Sequence, residues 1–292
     1  MISFFKRHVR LILIFLTCCL LVAGVGVVWF HGEWWFPILE GMKPHKDPAV
    51  TQVEVAEGTT VTLAQLMEDG RTVSSYNMML INSNHPLPKD FVPELIEYNM
   101  AKMHPLMKED YISLRDDVKA ATGVRIYVVS DFRTPQEQEE ILQSSQSGIA
   151  AQVGCSEHEA GMALDVYAPH FDGMSFLNSR SGRMINRICW QYGYIVRYPA
   201  DKEEITGISY EPWHLRYVGK THAKLITESG MALEEYIDFY LPEIWYQAED
   251  GSMILRTQKQ EITLPSGWSG CEISPDNTGY YFVTLTFETQ PN

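Results

Sequence analysis

The feature that most limits how this chain can fold is an uncharged apolar run at residues 11–30, reading LILIFLTCCLLVAGVGVVWF. In a helix such a run extends about 30 Å, the hydrocarbon thickness of a bilayer. Lys6, Arg7 and Arg10 precede it, and the next charge on the far side is Glu33. That asymmetry predicts a cytoplasmic N-terminus and export of everything that follows. The run is long for a signal peptide and no Ala-x-Ala site follows it. Trp29, Phe30, Trp34, Trp35 and Phe36 have the makings of an interfacial aromatic belt, so a retained single-pass anchor is expected. Cys18 and Cys19 read as apolar filler within that span. Beyond it lie Cys155, Cys189 and Cys271, an odd number in a compartment that permits disulfides, and their pairing stays open.

The rest of the chain has the composition of a folded protein. Of its 292 residues 45% are hydrophobic and 21% charged, which excludes disordered and fibrous classes. Lysine and arginine number 23 against 37 aspartates and glutamates, a net charge of −14, so a nucleic-acid partner is not expected.

Residues 31–75 read as a stalk, with GMKPHKDP followed by the threonine-rich, strand-like TQVEVAEGTTVTL. Residues 76–242 carry the signals of one compact α+β domain. MMLIN at 78–82 is a short strand candidate. Residues 113–121 are expected as a helix capped by Ser113 and stopped by Gly123, and 125–130 as a β-branched strand. Thr134, Pro135 and Glu137 form a helix start, which leaves Asp131, Phe132 and Arg133 in a strand-to-helix turn. Strands are expected over 161–167, 194–197 and 213–218, and helices over 179–192, 221–228 and 233–239. Residues 243–292, with MILRT, EITL and YYFVTLTF between turn signals, are expected as a small β appendage.

Chemistry concentrates around two of the nine histidines. His8, His31, His45, His85, His104, His170 and His222 sit in unremarkable surroundings and read as surface or capping residues. His158 lies in SEHEAGMALD and His214 in EPWHLRY. A catalytic zinc site needs three protein ligands and one open position, and His158, Asp165 and His214 supply such a set. Gly161 permits a tight bend that returns Asp165 beside His158, and the small Ala160 and Ala163 allow close approach. Met162 stands where a helical HExxH site requires its second histidine, which excludes that arrangement. Glu211 precedes His214 by three residues, and Pro212 holds it out of the helical region, so its carboxylate is suited to act as a base over the metal. Arg133, a planar charged fork, suits a substrate carboxylate or a developing oxyanion.

At this point the residues resemble a known family. SEHEAGMALD matches Ser-x-His-x-x-Gly-x-Ala-x-Asp, and EPWHLRYVG matches Glu-x-x-His with its aromatic-rich strand. Both patterns are those of the zinc D-alanyl-D-alanine carboxypeptidases of the VanY type, relatives of the VanX dipeptidases. SDFRTPQEQ resembles the family's Ser-x-Tyr-Arg-Ser/Thr-x-x-x-Gln segment, with Phe132 in place of tyrosine. LINSNHPLP and RYPADKEEITGISYEPWH resemble two further segments, and the likeness covers residues 76–240.

The resemblance implies zinc held by His158, Asp165 and His214, Glu211 as catalytic base, and Arg133 at the reacting carbonyl or the substrate terminus. Ser156 and Gln138 would help bind the terminal D-alanine, and Trp213 would shape the pocket. The implied fold is an antiparallel sheet flanked by helices, shared with the Hedgehog N-terminal domain. The implied activity is removal of the terminal D-Ala from peptidoglycan stem pentapeptides outside the bacterial membrane, with a role in glycopeptide resistance or in wall trimming. An L,D-carboxypeptidase acting on tetrapeptide stems and a non-catalytic zinc-stabilised wall-binding module are the rival readings. A purely structural zinc site has no use for Glu211, which argues against the second rival.

Overall fold

The computed structural model describes residues 14–21, 24, 26, 31–144 and 151–288. Of the expected membrane span 11–30, the described residues 14–21, 24 and 26 are helical, and the others lie outside the described residues. Among the described residues no helix is long and apolar enough to cross a membrane.

The strands, in chain order, are β1 (Val50–Val53), β2 (Gly58–Thr62), β3 (Thr72–Ser74), β4 (Ile96–Tyr98), β5 (Ala101–Met103), β6 (Tyr127–Ser130) and β7 (Ala163–Tyr167). They continue with β8 (Tyr194–Val196), β9 (His214–Tyr217), β10 (Trp245–Ala248), β11 (Met253–Thr257), β12 (Glu261–Pro265), β13 (Trp268–Pro275) and β14 (Tyr281–Phe287). The helices are α1 (Gly32–Gly41), α2 (Leu63–Met67), α3 (Lys108–Thr122), α4 (Pro135–Ser144), α5 (Arg180–Ile188), α6 (Glu203–Thr206), α7 (Lys220–Ser229) and α8 (Leu233–Phe239).

An antiparallel sheet in the order β6-β7-β9-β8 forms the centre of the α+β part. Leu164 and Val166 on β7 and Leu215 on β9 share one face by the two-residue alternation of strands, and they pack with Tyr111, Leu114 and Val118 of α3. The opposite face carries Asp165 and His214, which are direct register partners.

Several local signals are realised as expected. Thr134 and Glu137 form a reciprocal cap at the start of α4: Thr134 N–H donates to Glu137 Oε2 at 2.7 Å and Glu137 N–H donates to Thr134 Oγ1 at 3.2 Å. Gly123 ends α3 in the left-handed conformation, φ 78°. Other elements differ. Helix α3 begins at Lys108 rather than at Ser113, whose hydroxyl bonds back to the Glu109 carbonyl within the helix. The MMLIN segment forms no strand. Its backbone is satisfied by side chains and by the C-terminal sheet: Met78 N–H donates to Ser274, Leu80 N–H donates to the Asp276 carbonyl, and Arg216 donates to the Tyr76, Asn77 and Met79 carbonyls.

Residues 31–75, expected as a stalk, instead supply α1, α2 and strands β1–β3. β1 pairs with β10, β2 with β12, and β3 lies parallel to β13. The expected C-terminal appendage is therefore built jointly with the N-terminal segment, as a six-stranded sheet in the order β1-β10-β11-β14-β13-β3 plus the β2–β12 pair. One apolar face of this sheet (Tyr246, Ile254, Phe282) packs on α7 and α8. The other (Leu255, Val283, Leu285) packs under α2 and β12. His222, read as a surface or capping residue, is buried between the two parts, with its ring nitrogens 2.9 Å from the Tyr236 hydroxyl and 2.8 Å from the Thr284 hydroxyl. All five cysteines are unpaired.

Candidate active site

The site is assembled at the end of two paired strands and the turn that feeds one of them. His158 sits in a single 3-10 turn, Glu157–Ala160. Gly161 follows at φ 66°, a left-handed conformation that glycine adopts without strain, and it redirects the chain into β7. Two residues into that strand comes the outward-facing Asp165. His214 opens β9 directly opposite it. The approach to His214 is a tight turn in which His214 N–H donates to the Glu211 carbonyl across Pro212 and Trp213.

These three side chains converge. One potential ligand atom from each of His158, Asp165 and His214 lies within 4.8 Å of the other two. The His158 Nε2 to Asp165 Oδ2 distance is 3.3 Å, and His214 Nδ1 to Asp165 Oδ1 is 3.0 Å. The imidazole rings stand nearly perpendicular, 4.9 Å between centroids. His158 Nε2 and Asp165 Oδ1 are buried without a partner in hydrogen-bond geometry, so despite their proximity the three groups do not satisfy one another. Buried polar atoms left in this state are expected where an ion belongs.

Each imidazole is oriented from behind. His158 Nδ1 lies 2.7 Å from the Asp131 carbonyl, which leaves Nε2 free for a metal. His214 Nε2 lies 3.3 Å from a Glu157 carboxylate oxygen, which leaves Nδ1 on the metal side. Glu157 escapes a reading of the sequence, where it is an unconstrained position of the Ser-x-His pattern. It is completely buried, with Arg197 at 2.7 Å and Arg216 at 2.9 Å. Burial pushes its pKa up, but the two guanidinium groups override that and hold the carboxyl well below the usual range. Arg197 continues to Glu234 on α8 at 2.6 Å. Nothing local in the sequence signals this chain of charges.

Burial also opposes ionisation of Asp165, yet the two neighbouring imidazoles hold its carboxyl well below the usual range, so it is ready as an anionic ligand. Burial depresses the His158 pKa, which favours the neutral, ligating imidazole. At His214 burial acts the same way, but the neighbouring carboxylates of Asp165 and Glu157 overcome it and raise the pKa to about 9. A divalent cation would take the place of a proton on the Nδ1 side of His214, beside Asp165. The ligand set fits zinc: two imidazoles and one carboxylate, each with an outer partner or an ionising environment.

The remaining predicted residues surround this cluster. Glu211 Oε2 is 3.8 Å from His214 Nδ1 and outside the ligand trio, and burial followed by the charge of Asp165 raises its pKa. Arg133 is mostly buried, donates to Ser130 Oγ at 2.8 and 3.0 Å and to Gln138 Oε1 at 3.2 Å, and lies 3.2 Å from Asp165 Oδ2. Gln138 is itself buried, its amide donating to the Ala151 carbonyl at 2.7 Å. Ser156 is buried at the head of the 3-10 turn, without a side-chain cap bond. Trp213 packs half-buried against the core beneath the sheet, adjacent to His214 in the chain.

Comparison with known proteins agrees with this geometry. Residues 100–220 match the model of the VanY family, D-alanyl-D-alanine carboxypeptidase. The chain is 37% identical over 183 residues to the bifunctional D-Ala-D-Ala dipeptidase and D-Ala-D-Ala carboxypeptidase VanXYC of Enterococcus gallinarum, covering 56% of this chain and 94% of that protein. Among solved structures, a VanY D,D-pentapeptidase mutant from a VanB-type vancomycin resistance cassette, in complex with Zn(II), matches at 32% identity with TM-score 0.50, over 56% of this chain and 99% of that one. The D,D-dipeptidase VanXYg, in complex with a D-Ala-D-Ala phosphinate analogue, matches at 27% identity with TM-score 0.60, over 81% of this chain and 98% of that one. Together with the paired motifs and the buried His-Asp-His cluster, these matches show that the chain belongs to the VanY family of zinc-dependent D-alanyl-D-alanine carboxypeptidases.

Proposed function

We propose that this protein removes the terminal D-alanine from peptidoglycan stem pentapeptides, with its catalytic part outside the bacterial membrane. The observation that carries the reading is the convergence of His158, Asp165 and His214 with the carboxylate of Glu211 beside, not within, the ligand trio. His158, Asp165 and His214 would hold the zinc, which when bound would supply Lewis acidity for the scissile carbonyl and the attacking water. Glu211 takes a proton from the attacking water and delivers it to the departing amine. Its raised pKa suits both halves of that transfer, because a base nearer neutrality is also a usable acid. Arg133 supplies a fixed positive charge for the substrate carboxylate or the developing oxyanion. Ser156 and Gln138 contribute to the pocket for the terminal residue, and Trp213 supports its wall.

Loss of the terminal residue destroys the D-Ala-D-Ala end that glycopeptide antibiotics bind, so the same reaction serves resistance or wall trimming. Residues 11–30 are proposed to anchor the protein, N-terminus inside, on the strength of their uncharged length and the flanking Lys6, Arg7 and Arg10. Protease added outside intact cells is expected to digest the catalytic part.

The direct test offers purified protein a stem pentapeptide and a stem tetrapeptide, with and without chelator. Chelator-sensitive release of D-alanine from the pentapeptide is the expected result. Release from the tetrapeptide alone would replace the proposal with an L,D-carboxypeptidase.

A further inference from the structure

We infer that the free edge of β6 holds the part of the substrate peptide that precedes the scissile bond, with Arg125 recognising a carboxylate carried by that peptide. The inference rests on the carboxypeptidase reading and extends it to a second subsite. β6 is the outer strand of the central sheet, and among the described residues its other edge pairs with no strand. A cavity of about 470 Å³ wraps this edge, closed on its far side by the β4–β5 hairpin. The hairpin is fastened there by two hydrogen bonds, one between backbones from Phe132 N–H to the Lys102 carbonyl at 3.1 Å, the other from Lys102 N–H to the Asp131 carboxylate at 2.5 Å. The result is a slot between an unpaired strand edge and a docked hairpin.

Three observations give the slot an occupant. The first is continuity with the metal site. Tyr127 is the register partner of Tyr167, and Tyr167 stands two residues from Asp165 on the same face of β7, about 7 Å away. At the other end, Asp131 lines the slot, and its carbonyl braces His158 from the side away from the metal. The second is length. From residue 127 to residue 131 an extended chain advances about 13 Å, the reach of the four residues that precede the last peptide bond of a pentapeptide.

The third observation is the chemistry of the lining. Tyr127 and Val129 are 43% and 65% exposed, and Met100, at the hairpin tip, is 89% exposed. Unpaired strand edges flanked by such side chains accept extended peptides through main-chain bonds. Within the slot Arg115 is committed to Asp116 and to the Tyr98 hydroxyl. Asp131 is committed to the Lys102 amide. Arg125, exposed at the same cavity, has no ion-pair or hydrogen-bond partner among the described residues of a strongly acidic chain. An exposed guanidinium beside tyrosines with no carboxylate of its own chain bound to it is available to an anionic group on the ligand, and a peptide carboxylate fits it bidentately.

The test uses the zinc-loaded protein and three substrates: an N-acylated D-Ala-D-Ala, a pentapeptide with a carboxylate upstream of the scissile bond, and the same pentapeptide with that carboxylate amidated. Arg125→Ala is expected to raise KM about tenfold for the carboxylate pentapeptide with kcat retained, and the penalty is expected to vanish on the amidated one. Tyr127→Ala is expected to raise KM for both pentapeptides relative to the short substrate. Equal KM changes on all three substrates, or none in either variant, overturn the subsite. Calorimetric titration with the carboxylate pentapeptide separates this from failure of the carboxypeptidase reading. If wild-type protein hydrolyses nothing but binds that peptide, and Arg125→Ala weakens the binding tenfold, the subsite stands while the activity falls. If binding too is insensitive to Arg125→Ala, the subsite falls.

Discussion

At the scale of single residues, the site divides into groups that hold a metal, groups that hold those groups, and groups that move protons. In the proposed reaction Glu211 belongs to the last kind. Glu211→Ala is expected to keep zinc at full occupancy by metal analysis while turnover drops about 10²- to 10⁴-fold, the usual contribution of a positioned acid-base group. Retained turnover would remove Glu211 from the reaction. Glu157 belongs to the second kind, as the carboxylate behind His214. Glu157→Gln preserves shape but leaves Arg197 and Arg216 without their shared counter-charge. Zinc affinity, read by chelator competition, is expected to weaken about 10- to 100-fold, as outer partners of ligating histidines generally show. A folded variant with unaltered zinc affinity would reduce Glu157 to a packing residue.

At the scale of elements, the decisive piece is the turn that joins His158 to β7. Gly161 takes φ 66°, and a Cβ built there would lie 2.5 Å from Leu95 Cδ2. The end of a leucine side chain can shift, so the larger penalty for Gly161→Ala is the left-handed backbone, about 1–2 kcal/mol. Because the same turn sets the separation of His158 from Asp165, thermal unfolding and zinc affinity are expected to fall together in this variant. A lower melting temperature with unchanged zinc affinity would show that the ligand geometry survives without the glycine.

For the molecule as a whole, two buried titratable groups tie stability to pH near the junction of the catalytic sheet and the C-terminal sheet. Glu272 on β13 is pushed up to about 7 by burial, partly offset by a hydrogen bond from Ser75, and one of its carboxylate oxygens is buried without a partner. The folded state therefore keeps a proton that the unfolded chain releases, so stability is lost as pH rises from the ordinary glutamate range through about 7. The loss amounts to no more than about 3 kcal/mol, since a tenfold change in proton affinity is worth about 1.4 kcal/mol. His222 acts in the opposite direction: burial lowers it to about 3, and stability falls as pH drops below the ordinary histidine range. On going from pH 5 to pH 8 the urea midpoint of Glu272→Gln is expected to move upward relative to that of the wild-type chain, because the loss due to Glu272 is gone and the gain due to His222 remains. An identical difference in both would show that Glu272 does not set the neutral-pH slope.

The same junction shows where reading the residues alone stops. The caps at Thr134 and Gly123, the bend at Gly161 and the two ligand segments are local, carried by a few adjacent positions whose backbone preferences and chemistry do not depend on distant partners. They suffice to name His158, Asp165, His214, Glu211 and Arg133 as one centre. The pairing of β1 with β10, nearly two hundred residues away, leaves no such mark, because main-chain hydrogen bonds carry no residue identity, and so residues 31–75 read as a stalk. Burial of Glu157 among Arg197, Arg216 and His214 was likewise decided only by the tertiary structure, which alone sets which charges meet out of reach of water.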